Sequence, residues 1–259
     1  MGASHGPAGG PRNAVLLPGS GSDEVFVRAA LEAPLRAIGL TVHAPPVRSG
    51  PAVVDGYLHA LDEAAALGGP LLVGGISLGA QVAARWAARR TDGVLAGLLL
   101  ALPAWTGPPG EAPAAVAALV TAAAVRRDGL AGTLASTRES TPRWLGDELA
   151  RAWHRHGPGL ADSLDTAAAT PGPSAPELAG LRVPVALVGL RDDPVHPLPV
   201  AREWARLAPR SALVTTTLTA FGRDRATLGR ALALAWLRAA TLSEQAEKNS
   251  AERTALREH

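Results

Sequence analysis

The sequence has no cysteine, and this absence excludes disulfide bonds, thiolate nucleophiles, zinc–thiolate sites and iron–sulfur clusters. Lysine is almost absent too, since Lys248 is the only one among 25 basic residues. The 23 acidic residues nearly balance them, so the formal net charge is only +2, and the arginines are scattered. A nucleic-acid footprint needs clustered positive charge and is therefore not predicted. The excess of arginine, with much Ala, Gly and Pro, is typical of a GC-rich bacterial genome.

Long apolar runs are also missing. The longest, at 93–104 and 112–125, fall short of the ~18 residues that a membrane span needs. Residues 1–11 are rich in Gly, Ala and Pro without an apolar core, so no signal peptide is predicted there. These absences predict a soluble cytoplasmic protein that has no membrane partner.

Short apolar runs alternate with helical patterns through most of the chain, which is typical of an α/β fold with a parallel sheet. Strands are predicted at 13–17, 41–44, 71–75, 94–102, 183–190 and 211–217. Helices between and after them are predicted at 23–38, 53–67, 78–90, 197–207 and 225–240. The pattern predicts a doubly wound, mostly parallel sheet of about six strands.

The middle of the chain breaks this alternation. Residues 105–180 contain helical patterns at 112–127, 144–154 and 160–168 but no convincing strand, and prolines flank them on both sides. We interpret this segment as a helical cap inserted into a core that is built from 12–104 and 181–241. Residues 242–259 are polar and charged and are expected to form an exposed tail.

The strongest chemical signal is the pentapeptide Gly75-Ile76-Ser77-Leu78-Gly79, which matches G-x-S-x-G. An apolar strand precedes it and a helix follows it, as a nucleophile elbow requires. Small residues two before and two after the serine let the backbone turn sharply and expose the hydroxyl. Ser77 is therefore the candidate nucleophile, and an incidental serine in a glycine-rich turn is the competing interpretation.

Outside residues 105–180 the sequence resembles the α/β-hydrolase family, whose nucleophile stands in such a turn. Segment 16–22 resembles the loop that precedes the family's helix A, with Pro18 where a histidine often stands. The resemblance implies an oxyanion hole made by the amide of Ser20 (or Gly19) and the amide of Leu78. Because the first predicted strand already leads into this loop, the family's first hairpin is expected to be missing.

Segment 183–197 resembles the family's late strand and the loop that carries its catalytic acid. An acid at the carboxyl end of a parallel strand points into the crevice where ligands bind. The family's acid often directly precedes a Pro-x-x-Pro-like segment, which favours Asp193, whereas counting three residues from Gly189 favours Asp192. Both carboxylates could instead cap the helix that begins near Pro197.

The family's base, a histidine after the last strand, has no counterpart here, since residues 217–225 contain no histidine. A serine hydroxyl is a poor nucleophile without a base. We favour His196 as the replacement, while His154 and His156 in the insertion are alternatives that surface solvation would also explain. The remaining histidines are expected to be structural, helical or terminal: His43, His59, His5 and His259.

Three of the six tryptophans lie at the start of the insertion or inside it and are candidates to line an apolar substrate pocket: Trp105, Trp144 and Trp153. Packing of the insertion onto the core is the competing interpretation. No phosphate loop or dinucleotide fingerprint occurs, so no cofactor is expected. His154 and His156 diverge on a helix because they are two residues apart, so no metal is expected either.

These features predict a serine hydrolase that cleaves an ester or thioester with an apolar acyl group through an acyl-enzyme on Ser77. The alternative is a protein with the same fold that lacks the hydrolytic triad. It would bind a small molecule, or guide a cyclisation or proton transfer, in the same pocket. The missing late histidine favours this alternative, and the strand–turn–helix context of Ser77 favours the first prediction.

Overall fold

The computed structural model of the chain describes residues 13–257. The segment examined for a signal peptide and for the family's first hairpin lies outside the described residues, as do His5 and His259. Within 13–257 six parallel strands form one sheet in the order β2-β1-β3-β4-β5-β6. Their bounds are β1 (Asn13–Leu17), β2 (Thr41–His43), β3 (Leu71–Ile76), β4 (Leu95–Ala101), β5 (Val185–Leu190) and β6 (Ser211–Thr216).

The strand order reverses at β1, because β2 pairs on one side of it and β3 on the other. This confirms the predicted α/β class with a doubly wound parallel sheet. In such a sheet the crevice at the carboxyl edge of the strands, beside the reversal, is the usual place for a ligand. Since β1 and β3 both end there, that edge holds the loops that follow Leu17 and Ile76.

Helices cover both faces of the sheet. The described helices are α1 (Glu24–Val27), α2 (Ala33–Arg36), α3 (Val53–Ala66), α4 (Leu78–Ala88), α5 (Pro113–Ser140), α6 (Arg143–His156), α7 (Leu160–Ala169), α8 (Ala175–Gly180), α9 (Leu198–Leu207), α10 (Leu218–Arg223) and α11 (Ala226–Arg257). Alternate strand residues face opposite layers. Leu72 belongs to a buried cluster that includes side chains of α1, α2 and α11, whereas Val73 belongs to one that includes side chains of α3, α4 and α9. None of the helices in the described part is both long and apolar enough to cross a membrane.

The first helix is interrupted where the sequence has a proline. A turn of π-helix, Arg28–Glu32, joins α1 to α2, and Pro34 stands in the first turn of α2. Proline has no N–H and cannot donate to the carbonyl of Ala30, so the helical ladder is broken there. The wider π turn accommodates that break.

Residues 105–180, which are all described, contain α5 to α8 and no strand. They form an apolar cluster of their own with Trp105, Trp153, Leu160 and Leu164 among its buried members. Two backbone hydrogen bonds tie the ends of this insertion together. The Gly107 N–H donates to the carbonyl of Pro173 over 2.9 Å, and the Gly172 N–H donates to the carbonyl of Gly107 over 2.8 Å.

Candidate active site

Ser77 occupies the sharp turn between β3 and α4. Its φ of 54° and ψ of −116° are rare for a residue with a side chain, so the backbone is strained there. The flanking glycines permit the turn. A Cβ on Gly79 would lie 2.2 Å from the carbonyl oxygen of Leu17, and a Cβ on Gly75 would lie 2.3 Å from the same oxygen. The end of β1 therefore approaches the serine only because both positions lack a side chain.

Three polar side chains form a hydrogen-bonded chain at this edge. His196 Nε2 lies 2.8 Å from Ser77 Oγ, and His196 Nδ1 lies 2.9 Å from Asp193 Oδ2. A carboxylate only accepts, so Nδ1 carries the proton and the neutral ring offers its Nε2 lone pair to the serine hydroxyl. Ser77, His196 and Asp193 are thus arranged as nucleophile, base and orienting acid.

The carboxylate of Asp193 is well held. Its side chain is 7% exposed. Its Oδ1 also accepts the amides of Val195 over 2.8 Å and of His196 over 3.2 Å. Burial raises the pKa of Asp193, but the hydrogen bond and charge of His196, with the two amides, lower it more, so the pKa lies below its ordinary value. Asp193 is therefore ionised at neutral pH and can stabilise an imidazolium on His196.

Asp192 takes a different place. Its carboxylate accepts hydrogen bonds from the N–H of Leu218 and from the N–H and hydroxyl of Thr219, over 3.3 and 3.0 Å for Thr219. These contacts cap the start of α10. Of the two acids that the sequence left open, the structure brings Asp193 to the histidine and Asp192 to a helix terminus.

The loop after β1 lies against the serine. Ser22 N–H donates to the carbonyl of Gly19 over 3.1 Å, which closes a tight turn with Ser20 at its centre. A Cβ on Gly19 would lie 3.6 Å from the Cβ of Ser77. Leu78 is the first residue of α4, where the amide has no partner within the helix. The two segments predicted to supply the oxyanion-hole amides therefore meet at the serine.

The other described histidines are engaged elsewhere. His156 is buried, and its Nε2 donates to the carbonyl of Ser22 over 2.9 Å while its Nδ1 lies 3.1 Å from Ser49 Oγ. His154 Nδ1 lies 2.6 Å from the carbonyl of Ala150. The remaining two contact the side chains of Asn13 and Glu63: His43 and His59. None of these four rings is hydrogen-bonded to Ser77.

The three candidate pocket tryptophans separate into two groups. Trp105 and Trp153 are buried in the apolar cluster of the insertion. Trp144 instead packs edge-on against Phe221 of α10, with ring centroids 5.4 Å apart. This contact supports the interpretation that Trp144 packs the insertion onto the core rather than lining a substrate pocket.

Sequence reasoning missed a charge network beside the loop after β1. Asp23 accepts two hydrogen bonds from Arg151, over 2.7 and 2.8 Å, and lies 3.0 Å from Arg155. Arg155 also pairs with Glu24, and Arg151 with Glu148. Burial raises the pKa of Asp23, but Arg151, the Phe26 amide and Arg155 together lower it more. The i, i+4 spacing of the arginines was the available signal, since it places both on one face of α6.

The described residues contain no group of three or more side chains placed to hold a metal ion. No known family model matches the sequence. No curated protein matches it either.

Solved structures do match the fold. A protein assigned as a non-heme bromoperoxidase from Mycobacterium tuberculosis has a TM-score of 0.64 at 17% identity, over 90% of this chain and 94% of its own. A thermophilic esterase from Thermogutta terrifontis has a TM-score of 0.60 at 20% identity, over 96% of this chain and 91% of its own. An enol-lactonase from Burkholderia xenovorans has a TM-score of 0.57 at 18% identity, over 83% and 85%. The chain therefore has the α/β-hydrolase fold, as the sequence predicted.

Proposed function

We propose that this chain is a serine hydrolase that cleaves an ester or thioester through an acyl-enzyme on Ser77. The observation that carries the proposal is the hydrogen-bonded chain from Ser77 Oγ to His196 Nε2, at 2.8 Å, and from His196 Nδ1 to Asp193, at 2.9 Å. The esterase and enol-lactonase among the structural neighbours act on acyl–oxygen bonds, which adds support at the level of fold.

The geometry supports a two-step acyl transfer. Ser77 Oγ attacks the substrate carbonyl while its proton passes to His196 Nε2, and the anionic Asp193 stabilises the imidazolium. We assign the developing oxyanion to the amides of Leu78 and Ser20 (or Gly19). When the tetrahedral adduct collapses, His196 returns the proton to the leaving alkoxide or thiolate. Water, activated by the same histidine, then releases the acid and regenerates Ser77.

We further propose that residues 105–180 act as a cap over a core of 12–104 and 181–241, with 242–259 as a tail. The buried apolar cluster with Trp105 and Trp153 supports an acyl group that is largely apolar. The proposed substrate is a small molecule, and the steps above use side chains and amides of this chain alone.

The alternative function, binding or guiding without hydrolysis, drew its support from the lack of a histidine in 217–225. The contact of His196 with Ser77 supplies a base from another loop, so that support is weakened and we favour hydrolysis.

A fluorophosphonate probe and p-nitrophenyl esters test the proposal. We expect rapid labelling of the purified wild type, no labelling of Ser77→Ala, and esterase turnover that falls by about 10⁴-fold or more in Ser77→Ala and His196→Ala. His154→Ala is the matched control, because that ring bonds its own helix, and it should keep full activity. Absence of labelling in a folded, monodisperse sample would favour the alternative, and full activity of His196→Ala would refute the assigned base.

A further inference from the structure

A cleft between α3 and α4 lies apart from the proposed catalytic residues. Its volume is about 270 Å³, and it is lined by residues of α3, by residues at the end of α4 and by Thr170, which follows α7. Ser77, His196 and Asp193 are not among the lining residues. Pockets for drug-sized ligands measure about 300–1,000 Å³, so this cleft suits a smaller molecule.

The wall of the cleft combines an apolar surface with three arginines. Trp86 and three aliphatic side chains of α3 and α4 form the apolar part. Arg85, Arg89 and Arg90 form the basic part, and Asp62 is the acid among the lining residues. Arg85 and Arg89 are four residues apart, as are Trp86 and Arg90, so each pair shares one side of the helix. The cleft therefore suits a ligand that has both an apolar part and a negative charge.

Two of the three arginines already have carboxylate partners. Arg90 pairs with Asp92 and lies 3.4 Å from Asp62. Arg89 Nε lies 3.7 Å from Glu177, and the Arg89 side chain is 66% exposed. The charge of Arg90 is thus balanced by two acids, and the charge of Arg89 is balanced by Glu177 and by solvent.

Arg85 differs from both, because no described residue forms an ion pair with it. Its Nη1 donates to the carbonyl of Pro171 over 3.2 Å, which is a neutral acceptor. Its Nε is buried and has no hydrogen-bond partner in the described part of the chain. Buried donors are nearly always paired in folded proteins. Arg85 therefore lacks both a counter-ion and an acceptor.

Glu177 is the acid that the charge of Arg85 influences, but it has other partners. Burial raises the pKa of Glu177, while hydrogen bonds with Ser174 and the charges of Arg85 and Arg89 lower it more. Its carboxylate accepts the Ser174 N–H over 2.7 Å and so forms part of the capping box of α8. Glu177 is therefore held at the start of α8, outside the wall of the cleft.

We propose that this cleft binds a small organic carboxylate, whose charged group pairs with Arg85 and whose apolar body packs on Trp86. Guanidinium and carboxylate groups match each other in two parallel hydrogen bonds, so the ligand supplies the counter-charge and the acceptors that Arg85 lacks. A phosphate ester carries about 1.5 to 2 negative charges at neutral pH and would need a second free cation. The site goes beyond the proposed hydrolysis and takes no part in it.

Calorimetric titration of the full chain with 3-phenylpropionate tests the proposal, and 3-phenylpropionamide is a neutral analogue of the same size. We expect the carboxylate to bind at least about 10-fold more tightly than the amide. Arg85→Gln removes the charge and should weaken carboxylate binding by roughly 10- to 100-fold. Arg182→Gln is the matched control and should keep the wild-type affinity, because Arg182 also donates to a carbonyl, that of Ala179 over 3.0 Å, but does not line the cleft.

Two further variants keep the test decisive if Arg85→Gln does not fold. Arg85→Lys keeps the charge without the planar fork, so it should bind 3-phenylpropionate more weakly than the wild type but more tightly than any folded Arg85→Gln. Arg89→Gln alters an exposed side chain, and the lost charge should weaken binding by about two- to fivefold.

The position of the ligand can be measured separately. Protein with ¹⁵N-labelled tryptophan is titrated with 3-phenylpropionate, and the indole N–H signals are followed. Trp86 lines the cleft and its N–H donates to Asp62 over 2.8 Å, so we expect the Trp86 signal, assigned through Trp86→Phe, to shift. Ser77→Ala should show the same shift, which makes this result independent of the proposed hydrolysis.

Several outcomes would overturn the inference. Equal affinity for the carboxylate and the amide, or no binding at millimolar concentration, would show that the cleft does not recognise the charge. Unchanged affinity in Arg89→Gln and in any folded Arg85→Gln would have the same meaning. Tighter binding of phenyl phosphate would refute the choice of carboxylate. A shift of the Trp105 or Trp153 signal without a shift of Trp86 would place the ligand in the insertion instead.

Discussion

The glycines around Ser77 limit what the elbow tolerates. A Cβ on Gly79 would meet backbone atoms of Leu17 and Pro18, at 2.2 Å from the Leu17 oxygen, and backbone cannot rotate away as a flexible side chain can. We expect Gly79→Ala to lower the free energy of unfolding by about 1–3 kcal/mol, as overpacking does. Urea unfolding followed by tryptophan fluorescence measures this. Gly180→Ala is the control, because nothing lies within 4 Å of its Cβ position, and it should be neutral or slightly stabilising. Equal effects at the two sites would contradict the packing argument.

The two adjacent aspartates are expected to differ in effect. Asp193→Asn keeps the size of the side chain but removes the charge that stabilises the His196 imidazolium, so kcat should fall by about 10³–10⁴-fold. Asp192→Ala removes one of the two side chains that cap α10 and leaves Thr217 in place, so it should cost at most about 1 kcal/mol of stability and leave kcat within a factor of about three. Steady-state kinetics beside thermal unfolding of both variants checks this. Comparable losses of kcat in the two would mean that Asp192 also serves the reaction.

At the scale of elements, the sequence predicted the sheet well. Every strand lies within one or two residues of its predicted bounds, because buried parallel strands are short apolar runs that glycine and proline interrupt. Three helical features were missed, and one of them is helix α8 (Ala175–Gly180), where no helix was predicted. Helix α5 runs on to Ser140 through a break at Gly129, whose φ is 71°. Helix α10 was not predicted. Its start is capped by Thr217 and also by Asp192 from another loop, and such a distant contact leaves no local sequence pattern.

The candidate site was predictable only in part, because a local motif is visible in the sequence whereas a contact between distant residues is not. Ser77 stands in a local motif that sequence displays directly. The sequence favoured His196 as the base but left His154 and His156 open, because the contact of His196 with Ser77 spans 119 positions along the chain. A turn stabilised by the Asp193 carboxylate, which accepts two amides, presents the ring to the serine, and nothing in the spacing alone fixes that rotation.

Arg151 and Arg155 of α6 connect the insertion to the core by pairing with Asp23. Asp23 has a second role as the cap of α1, and a substitution can test the two roles separately. Asp23 Oδ1 also accepts the amides of Val25 and Phe26 at the start of α1, each over 3.1 Å. Asparagine is an equally good cap, so Asp23→Asn removes only the charge that faces Arg151 and Arg155. We expect a loss of about 1–3 kcal/mol in the free energy of unfolding, since the carboxylate is buried and charge-assisted hydrogen bonds are lost.

A matched ion pair inside the insertion gives the comparison. Asp165 lies 2.6 Å from Arg126, but both side chains are well exposed, at 39% and 49%. Exposed pairs contribute little, so Asp165→Asn should leave the free energy of unfolding nearly unchanged. Chemical unfolding of the two variants decides the point, and similar costs would show that the Asp23 contact does not hold the insertion.

At the scale of the whole molecule, the carboxyl edge of the sheet gathers groups that are far apart in sequence. Ser77 follows β3, the loop of Gly19 follows β1, and Asp193 with His196 follows β5. The first turn of α1 and the last turns of α6 meet beside them. The proposed catalytic geometry and the attachment of the insertion therefore depend on one edge. Each has an ionised carboxylate beside basic partners: Asp193 beside His196, and Asp23 beside Arg151 and Arg155.

The ionisation of these two carboxylates predicts how the stability of the fold depends on pH. Folding holds the pKa of both Asp23 and Asp193 below the ordinary value of 3.8. The unfolded chain therefore binds protons first as pH falls, so the stabilisation is complete above about pH 5 and is lost progressively as pH falls below about 4. Urea unfolding at pH 7, 5 and 3.5 should show similar stability at the first two and a clear loss at the third. The gap between the wild type and Asp23→Asn should narrow over the same interval, because the wild-type carboxylate becomes neutral there as well. A gap of constant size down to pH 3 would mean that the Asp23 charge does not contribute to folding.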